Sequence, residues 1–365
     1  MAAMQLAGCT GSGVPEAETS LGHAIGFSAV VADGGTRSAG DGELTTSLLR
    51  ATGFGVYCWY TGSASFTTPA TSRPDDAVYL LLMRNQKVEW DGDASQWTYA
   101  PARYWPMDPN ERLTFRAYAP YVSYPLVSDA AGMPQLPVVV AATDFHNGTQ
   151  HDPLWGTGTS GTPHRYGTLY DDYTYGMSGD GLTADAADGT IHWYFHHGMA
   201  KLVFRAILAD DAADDDLVVT ALRLSPLYTD GLLDISSPTA SASEKPRWTD
   251  CSGDMEIELT RAGGDILTGV VLDKVTPQSI LPAGVLIIPR VFGGTPLTVS
   301  IDYEAGGVAQ TASAQLSPHL PAATVSGNTV YTYDLILDPS ANHISVRVTV
   351  NLYWQVGSYN RIDDL

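Results

Sequence analysis

The stretch from Gln96 to Tyr121, QWTYAPARYWPMDPNERLTFRAYAPY, combines seven aromatic residues with four prolines. Aromatic and β-branched residues suit a pleated, half-buried surface, whereas proline cannot donate a ladder hydrogen bond and marks strand ends and turns. The segment from Leu113 to Tyr118 is therefore predicted to be a short strand, with alternate residues on opposite faces. The stretch as a whole indicates the aromatic core of a β-sandwich.

The composition of the whole chain favours the same fold class. Its 365 residues include 36 glycines and 22 prolines, and no long apolar run follows the helical period of 3.6 residues. These features predict an all-β protein with many turns. The length exceeds what one hydrophobic core usually serves, so two domains are expected.

Charge and cysteine content argue against several classes of protein. The net charge of -21 disfavours binding to nucleic acid and to anionic membrane surfaces, because both require clustered Lys and Arg. The three cysteines, Cys9, Cys58 and Cys251, do not make a disulfide framework. No segment reaches the roughly 20 apolar residues that a membrane-spanning helix needs.

The N-terminal residues contain a candidate lipidation motif. Leu6-Ala7-Gly8-Cys9 has the form of a lipobox, in which a bacterial signal peptidase cuts before a cysteine that becomes lipidated. Only eight residues precede Cys9 and none of them is Lys or Arg, so the tetrapeptide is either the end of a truncated signal or a coincidence. We interpret residues 1–23 as a truncated signal with its lipobox and a polar tether.

Alternating apolar residues predict individual strands. The segment 24–31 carries an apolar side chain at every second position, which is typical of a strand with one buried face. Residues 33–40 follow as a glycine-rich loop, and proteolysis concentrates in exposed loops of this kind. Residues 78–83, together with the segment 84–90 that follows them, are interpreted as a hairpin.

An Asp-rich turn at residues 210–216 is the expected boundary between domains. We assign a first β-sandwich domain to residues 24–212 and a second to residues 213–365. The irregular region 145–189 falls in the first domain, and loops of this length are usually functional or disordered.

The sequence contains no motif with catalytic spacing. Gly158-Thr159-Ser160-Gly161 lacks the form that seats a nucleophilic serine, and no phosphate loop or dinucleotide motif is present. His192 and His196 share a face of a predicted strand while His197 lies opposite, so two histidines could reach one metal ion. Their neighbours are core-forming aromatic residues, and no further ligand has a suitable spacing. We therefore expect neither catalytic residues nor a metal site nor a cofactor.

Six short motifs follow one another in order: W-x-Y-x-P-x-x-Y-W-P at 97–106, L-T-F-x-A-Y-A-P at 113–120, Q-x-D-x-L-W at 150–155, F-x-H-x-x-A-K-L at 195–202, L-I-I-P at 286–289 and Y-T-Y-x-L-x-L at 331–337. Their order and spacing resemble the fimbrillin-like (Mfa-like) family, the subunits of type V pili on bacterial outer membranes. The family's usual glutamine after L-I-I-P is Arg290 here. The resemblance implies two β-sandwich domains of transthyretin-like, Greek-key topology in tandem.

The resemblance also implies a route of maturation. Fimbrillin-like precursors are exported as lipoproteins, which here would use Cys9, and an arginine-specific protease then removes a first strand. Residues 24–31 are that strand in this chain. Arg37, in the loop that follows, is the expected processing site, and Arg50 is the alternative.

The C-terminal strand is the candidate for exchange between subunits. Six apolar residues alternate with polar ones along it: Ile344, Val346, Val348, Val350, Leu352 and Trp354. This pattern by itself predicts a central strand of the second sandwich. The resemblance implies instead that the strand fills the groove vacated on a neighbouring subunit, which is β-augmentation. Residues 355–365 lack the alternation.

These expectations describe a structural, adhesive pilus subunit, first an outer-membrane lipoprotein precursor and then part of a fimbrium. Its expected partners are other pilus subunits, in a homopolymer or a heteropolymer, an arginine-specific protease, and glycans or proteins of host or bacterial surfaces. The alternative is a surface glycan-binding lipoprotein. In that case exposed aromatic residues would stack on sugar rings: Trp155, Tyr166, Tyr170, Tyr173 and Tyr175.

Overall fold

The computed structural model describes residues 23–31, 45–66, 80–108, 110–147, 149–158, 170–173, 189–210, 217–236, 246–260 and 271–352. Within these segments the backbone is almost entirely strand and turn, so the prediction of an all-β chain is confirmed. Cys9, Arg37, Trp354 and residues 355–365 lie outside the described residues.

The described secondary structure contains the helices α1 (Thr46–Thr52) and α2 (Ala142–Asn147). The strands up to residue 197 are β1 (Gly26–Val31), β2 (Phe54–Gly62), β3 (Leu80–Asp91), β4 (Gln96–Thr98), β5 (Arg112–Ala119), β6 (Val127–Ser128), β7 (Pro134–Val139), β8 (Leu154–Gly158), β9 (Tyr170–Tyr173) and β10 (Thr190–His197). The later strands are β11 (Ala200–Leu208), β12 (Leu217–Leu227), β13 (Asp230–Asp234), β14 (Arg247–Ser252), β15 (Met255–Thr260), β16 (Val271–Leu272), β17 (Gln278–Ile287), β18 (Arg290–Val291), β19 (Thr298–Ala305), β20 (Val308–Gln315), β21 (Thr324–Val325), β22 (Thr329–Asp338) and β23 (His343–Leu352).

Strand pairing gives one large sheet and several smaller ones. The large sheet has the order β1-β10-β8-β5-β2-β3-β4, and β9 also pairs with β5. Three further sheets have the orders β17-β11-β22-β23, β15-β12-β19-β20 with β16 on β12, and β14-β13-β7-β6, while β18 pairs with β21 alone. Two pairs of neighbouring strands run parallel: β1 with β10, and β11 with β22.

The middle of the large sheet is buried on both faces. In β5 every residue from Leu113 to Ala119 is buried, which confirms the predicted strand and shows that neither face is solvated. Phe115 belongs to a smaller apolar cluster that also contains Phe27 and Trp193. Tyr118, on the opposite face, belongs to a larger cluster that extends through the C-terminal strands. The large sheet therefore separates two cores.

The strand β11 pairs with strands from the C-terminal half of the chain. It lies antiparallel to β17, and it lies parallel to β22 from Ala200 opposite Thr329 to Leu208 opposite Leu337. Its inward-facing residues belong to the larger cluster. The domain boundary expected at residues 210–216 stays a prediction. Strand pairing places β11 in a sheet whose other strands all follow that turn in the sequence.

The predicted hairpin at residues 78–90 is wrong, because β3 runs as one strand from Leu80 to Asp91. Asn85 has a φ of 50° at a register shift in the β2–β3 pair, so the polar residues form a bulge where a turn was expected. The Asn85 amide donates to the carbonyl oxygen of Val122 at 2.9 Å and accepts from the Tyr118 hydroxyl at 2.5 Å. These contacts hold the bulge against β5.

Candidate functional site

The first strand, β1, lies at one edge of the large sheet. It pairs only with β10 in the sheet order, in parallel register from Gly26 opposite Thr190 to Val31 opposite Phe195. An edge strand shares a ladder with a single neighbour, so its loss exposes one strand edge and leaves the other ladders intact.

The inward face of β1 fills part of the smaller core. Ile25, Phe27, Ala29 and Val31 are at most 7% exposed. The Phe27 ring lies 5.3 Å from the ring of Tyr99 and 6.4 Å from that of Phe115, measured between centroids. Burying the three larger side chains stabilises the fold by about 5–9 kcal/mol, at about 1.5–3 kcal/mol each. Without β1 this part of the core would face solvent, and contiguous apolar surface of that kind favours association.

A second segment borders the beginning of β1 on the side away from β10. The Ile25 amide donates to the Arg103 carbonyl at 2.9 Å, and the Trp105 amide donates to the His23 carbonyl at 2.9 Å. The Tyr99 hydroxyl donates to the Ile25 carbonyl at 2.9 Å. The strand β1 therefore lies in a groove between β10 and residues 99–105, which belong to the aromatic and proline-rich stretch.

Of the two candidate processing sites, Arg50 lies among the residues that the structure describes and Arg37 does not. Arg37 lies outside the described residues and stays a prediction. Arg50 lies in α1, with its guanidinium carbon 4.2 Å from the centroid of a Trp90 ring, and its neighbour Leu49 is completely buried. Because proteolysis concentrates at exposed loop tips, a helical arginine held on an aromatic ring is the poorer site.

The candidate donor strand is β23, and it lies at the edge of its sheet. It pairs with β22 from His343 opposite Asp338 to Leu352 opposite Thr329. The central position predicted from its apolar pattern is therefore wrong. Ile344 is buried, whereas Val346, Val348 and Val350 are only partly buried against the larger cluster. A single ladder and incomplete packing make β23 easier to displace than a central strand.

A groove of about 520 Å³ lies beside the beginning of β23. It is lined on one side by Ile344 and Val346 and on the other by Ala314 of β20 and by His319. The strands β20 and β23 are edge strands of two different sheets, so the groove lies between two sheet edges. The donor role of β23 itself stays a prediction.

The three histidines of β10 have separate hydrogen-bond partners. The Nδ1 atom of His192 lies 2.6 Å from the Ser28 hydroxyl, and the Nε2 atom of His196 lies 2.9 Å from the Thr157 hydroxyl. The Nδ1 atom of His197 bonds Oδ2 of Asp152. Among the residues that the structure describes, no group of three or more His, Cys, Asp or Glu side chains could hold a metal ion.

Three of the sequence motifs meet in space, which sequence reasoning missed. Asp152 of Q-x-D-x-L-W bonds His197 of F-x-H-x-x-A-K-L, and both side chains are fully buried. The Gln150 side-chain oxygen accepts from the Leu286 amide of L-I-I-P at 3.2 Å. Each motif has a polar residue at a set place among apolar ones. Because buried polar groups need hydrogen-bond partners, these residues could have been predicted to bond one another.

The aromatic residues proposed for sugar stacking do not form a described surface. Trp155 is 1% exposed, so its predicted exposure is wrong, and it packs against His196 with ring centroids 5.1 Å apart. Burial lowers the pKa of His196 to about 3, and the neighbouring His197 adds to the effect. The backbones of Tyr170 and Tyr173 form part of β9, while Tyr166 and Tyr175 lie outside the described residues.

The lipidation prediction at Cys9 concerns residues that the structure does not describe. The other two cysteines are free thiols: Cys58 is buried and Cys251 is partly buried. In the described part of the chain, no helix has the length and apolar character needed to cross a membrane.

Comparison with known proteins identifies relatives of the chain. The model of a family described as fimbrillin-like matches residues 36–352. A fimbrial protein from Bacteroides vulgatus has a similar fold, with 20% identity, a TM-score of 0.59, and coverage of 91% of this chain and 99% of that chain. A protein from Bacteroides uniformis assigned to cell adhesion is 14% identical, with a TM-score of 0.51 and coverage of 91% and 98%. No curated protein matches the chain.

Proposed function

The chain belongs to the fimbrillin-like family, and from this premise we propose that it is a structural, adhesive subunit of a fimbrium at the cell surface, without catalytic turnover. The observation that carries the proposal is the family match over residues 36–352, which begins before α1 and extends to the end of β23. The buried position of Trp155 weakens the glycan-binding alternative, because a side chain inside the core has no face for a sugar.

We propose that β1 is the strand that assembly replaces. Its edge position, its single ladder to β10 and the four inward apolar residues from Ile25 to Val31 support this, because removal of this segment would leave a preformed apolar groove. An arginine-specific protease that cuts after Arg37 would leave β1 held only by non-covalent contacts. The packing of Arg50 on Trp90 supports Arg37 over Arg50 as the site.

We propose that β23 supplies the strand that this subunit donates to a neighbour. Its edge position and the partial burial of Val346, Val348 and Val350 support this. In β-augmentation, ladder hydrogen bonds provide affinity and alternate side chains provide specificity. The donor would run from Ile344 to Trp354.

We propose that export proceeds through a lipoprotein precursor with Cys9 as the lipidated residue. A single acyl chain gives only marginal membrane binding, whereas two or more give stable anchoring. A fully acylated precursor would therefore stay at the outer membrane until the protease releases it into the fimbrium. Host or bacterial surface glycans or proteins are the proposed adhesion targets.

The proposed function is tested in a fimbriated host strain that carries the gene and in its deletion mutant. Immunogold labelling with an antibody against the purified chain should decorate fibres in the parent and not in the mutant, and adhesion should fall in the mutant. Labelling confined to the cell envelope would contradict the proposal. Turnover of a glycan or peptide substrate at rates typical of enzymes, about 1–10³ per second, would contradict it as well.

A further inference from the structure

In the groove that holds β1, a small residue lies beside a large one. Ala29 is the register partner of Trp193 in β10, and both side chains belong to the smaller core. On its other side, Trp193 is in register with Gly158 of β8. The largest residue of β10 is therefore flanked on both neighbouring strands by the two smallest residue types.

The Trp193 ring is closely packed on the side that faces β8. It is 1% exposed, and its ring lies 6.3 Å from that of Phe195. A Cβ atom built on Gly156 would lie 2.8 Å from the Trp193 ring and 3.1 Å from the Phe195 ring, so this side is already filled. Protein interiors are packed to crystal-like density, and an added methyl group at such a site forces its neighbours to move.

The groove consequently limits the size of the side chain at each inward position of the strand that it holds. Phe27 lies beside Ile191, Ala29 beside Trp193, and Val31 beside Phe195. Direct neighbours on adjacent strands point to the same face whichever direction the strands run, so this requirement holds for a parallel or an antiparallel replacement. Any strand that replaces β1 must place a small residue beside Trp193.

The candidate donor strand of this same chain lacks such a residue on its apolar face. All six apolar positions are larger than alanine: Ile344, Val346, Val348, Val350, Leu352 and Trp354. A shift of register by one residue would turn the polar face, with Arg347 and Asn351, into the core.

The small residues elsewhere in the C-terminal segment cannot take the place of Ala29 beside Trp193. Each of them has a polar residue two positions away, which would enter the core with it: Ser345 with Arg347, Gly357 with Gln355, and Ser358 with Asn360. The neighbouring places in the groove belong to Phe27 and Val31, which are 6% and 4% exposed. Burying an unpaired polar group there is costly.

We propose, on the basis of the strand exchange proposed above, that the β1 groove rejects this chain's own C-terminal strand and accepts a strand of a different pilus subunit. That strand alternates apolar and polar residues and carries one Gly, Ala or Ser on its apolar face, beside Trp193. The chain is then a component of a mixed fibre and does not polymerise with itself through this groove.

Four synthetic peptides test the size rule on the full chain cut by an arginine-specific protease, with peptide present in excess during cleavage. They are residues 23–31, the same peptide with Ala29→Val, residues 343–354, and the latter with Val348→Ala. Dissociation constants from fluorescence anisotropy should be at least about tenfold weaker for Ala29→Val than for 23–31, and at least about tenfold weaker for 343–354 than for its Val348→Ala form. Equal affinity within either pair would overturn the size rule beside Trp193, and with it the inference, but would not contradict the proposed strand replacement. Failure of all four peptides to bind would overturn strand replacement itself, and the inference with it.

The uncut chain provides an independent measurement that does not need exchange. Ala29→Val should lower the midpoint of thermal unfolding by roughly 2–4 °C or more. The control Val30→Ile enlarges the adjacent outward residue, which is 43% exposed, and should leave the midpoint within about 1 °C. An unchanged midpoint for Ala29→Val would show spare room beside Trp193 and would overturn the inference.

Discussion

Asp152 and His197 share a hydrogen bond between Oδ2 and Nδ1 in which both side chains are completely buried. Asp152 lies just before β8, and His197 ends β10, which is antiparallel to β8 with His197 opposite Leu154. Because a buried carboxylate needs a paired or hydrogen-bonded partner, this contact fixes the segment before β8 against the end of β10. The two motifs that supply the residues therefore have a structural role where β8 begins and β10 ends.

Replacing His197 with Phe should destabilise the chain strongly, because the Asp152 carboxylate stays buried without its imidazole partner. We expect the free energy of unfolding to fall by about 3–5 kcal/mol, measured by urea denaturation. The control is Lys87→Met, which breaks an ion pair with Glu89 whose side chains are 42% and 61% exposed. That change should cost no more than about 1 kcal/mol. Similar losses in the two variants would show that the Asp152–His197 contact is unimportant.

Acid should destabilise the chain through His196. Burial lowers the pKa of His196 to about 3 from the ordinary value of 6.5, so between these values the unfolded chain binds a proton that the folded chain does not. The free energy of unfolding therefore has its full value above about pH 6.5 and decreases as the pH falls towards 3. The free energy of unfolding should decrease by about 1.4 kcal/mol per pH unit, or roughly 2–3 kcal/mol between pH 7.5 and 4.5.

The matched variant for this prediction is His196→Gln, which keeps a hydrogen-bonding group near Thr157 and does not titrate. Its stability should be much flatter over the same range. Measurements stop at pH 4.5 because the Arg223 guanidinium lowers the pKa of Asp302, so that this aspartate titrates only in stronger acid. A wild-type chain equally stable at pH 7.5 and 4.5 would contradict the prediction.

Processing should depend on Arg37 and not on Arg50. In cells that contain the arginine-specific protease, Arg37→Ala should remain uncut, while Arg50→Ala should be cut as wild type because Arg50 is held in α1 against Trp90. N-terminal sequencing of the mature wild-type chain should begin at Ser38. A sequence that begins at Ala51 would assign the site to Arg50, and one that begins at Cys9 would show that the chain is not cut.

Lipid attachment should require Cys9. Cells labelled with radioactive palmitate should incorporate label into the full-length precursor and not into Cys9→Ala, because the cysteine thiol is the proposed acceptor. Cys251→Ala serves as the control, since Cys251 is a partly buried free thiol in β14 and its loss should leave the label unchanged. Undiminished label in Cys9→Ala would rule out this site.

Incorporation into fibres should require the C-terminal strand. A chain truncated before Ile344 loses β23, which is an edge strand, so the ladders of the large N-terminal sheet stay intact. It should be absent from detergent-resistant ladders of isolated fimbriae, measured by immunoblotting, while its N-terminal part stays folded. A chain that lacks only residues 355–365 is the control. Truncated chains that still enter the ladders would place the donor elsewhere.

Much of the fold could be predicted locally because strands carry a period of two. The alternation at 24–31 and 344–352 identified β1 and β23, and the aromatic run at 113–118 identified β5. The hairpin at 78–90 failed because polar residues at Arg84-Asn85-Gln86 suit a bulge as well as a turn. The central position predicted for β23 was also wrong. Apolar alternation indicates that one face of a strand is buried, and it carries no information on how many neighbouring strands there are.

The sequence by itself determined the fold class, the positions of several strands and the motifs that identify the family, because these depend on composition and on residues close together in the chain. Only the tertiary structure decided that β1 and β23 are edge strands, that Asp152 meets His197, and that Ala29 lies beside Trp193. These relationships join residues far apart in sequence, and nothing in a local pattern specifies which strand edge pairs with which. The physical reason is that strand pairing and side-chain packing are settled together, by how the whole set of apolar faces can be buried at once.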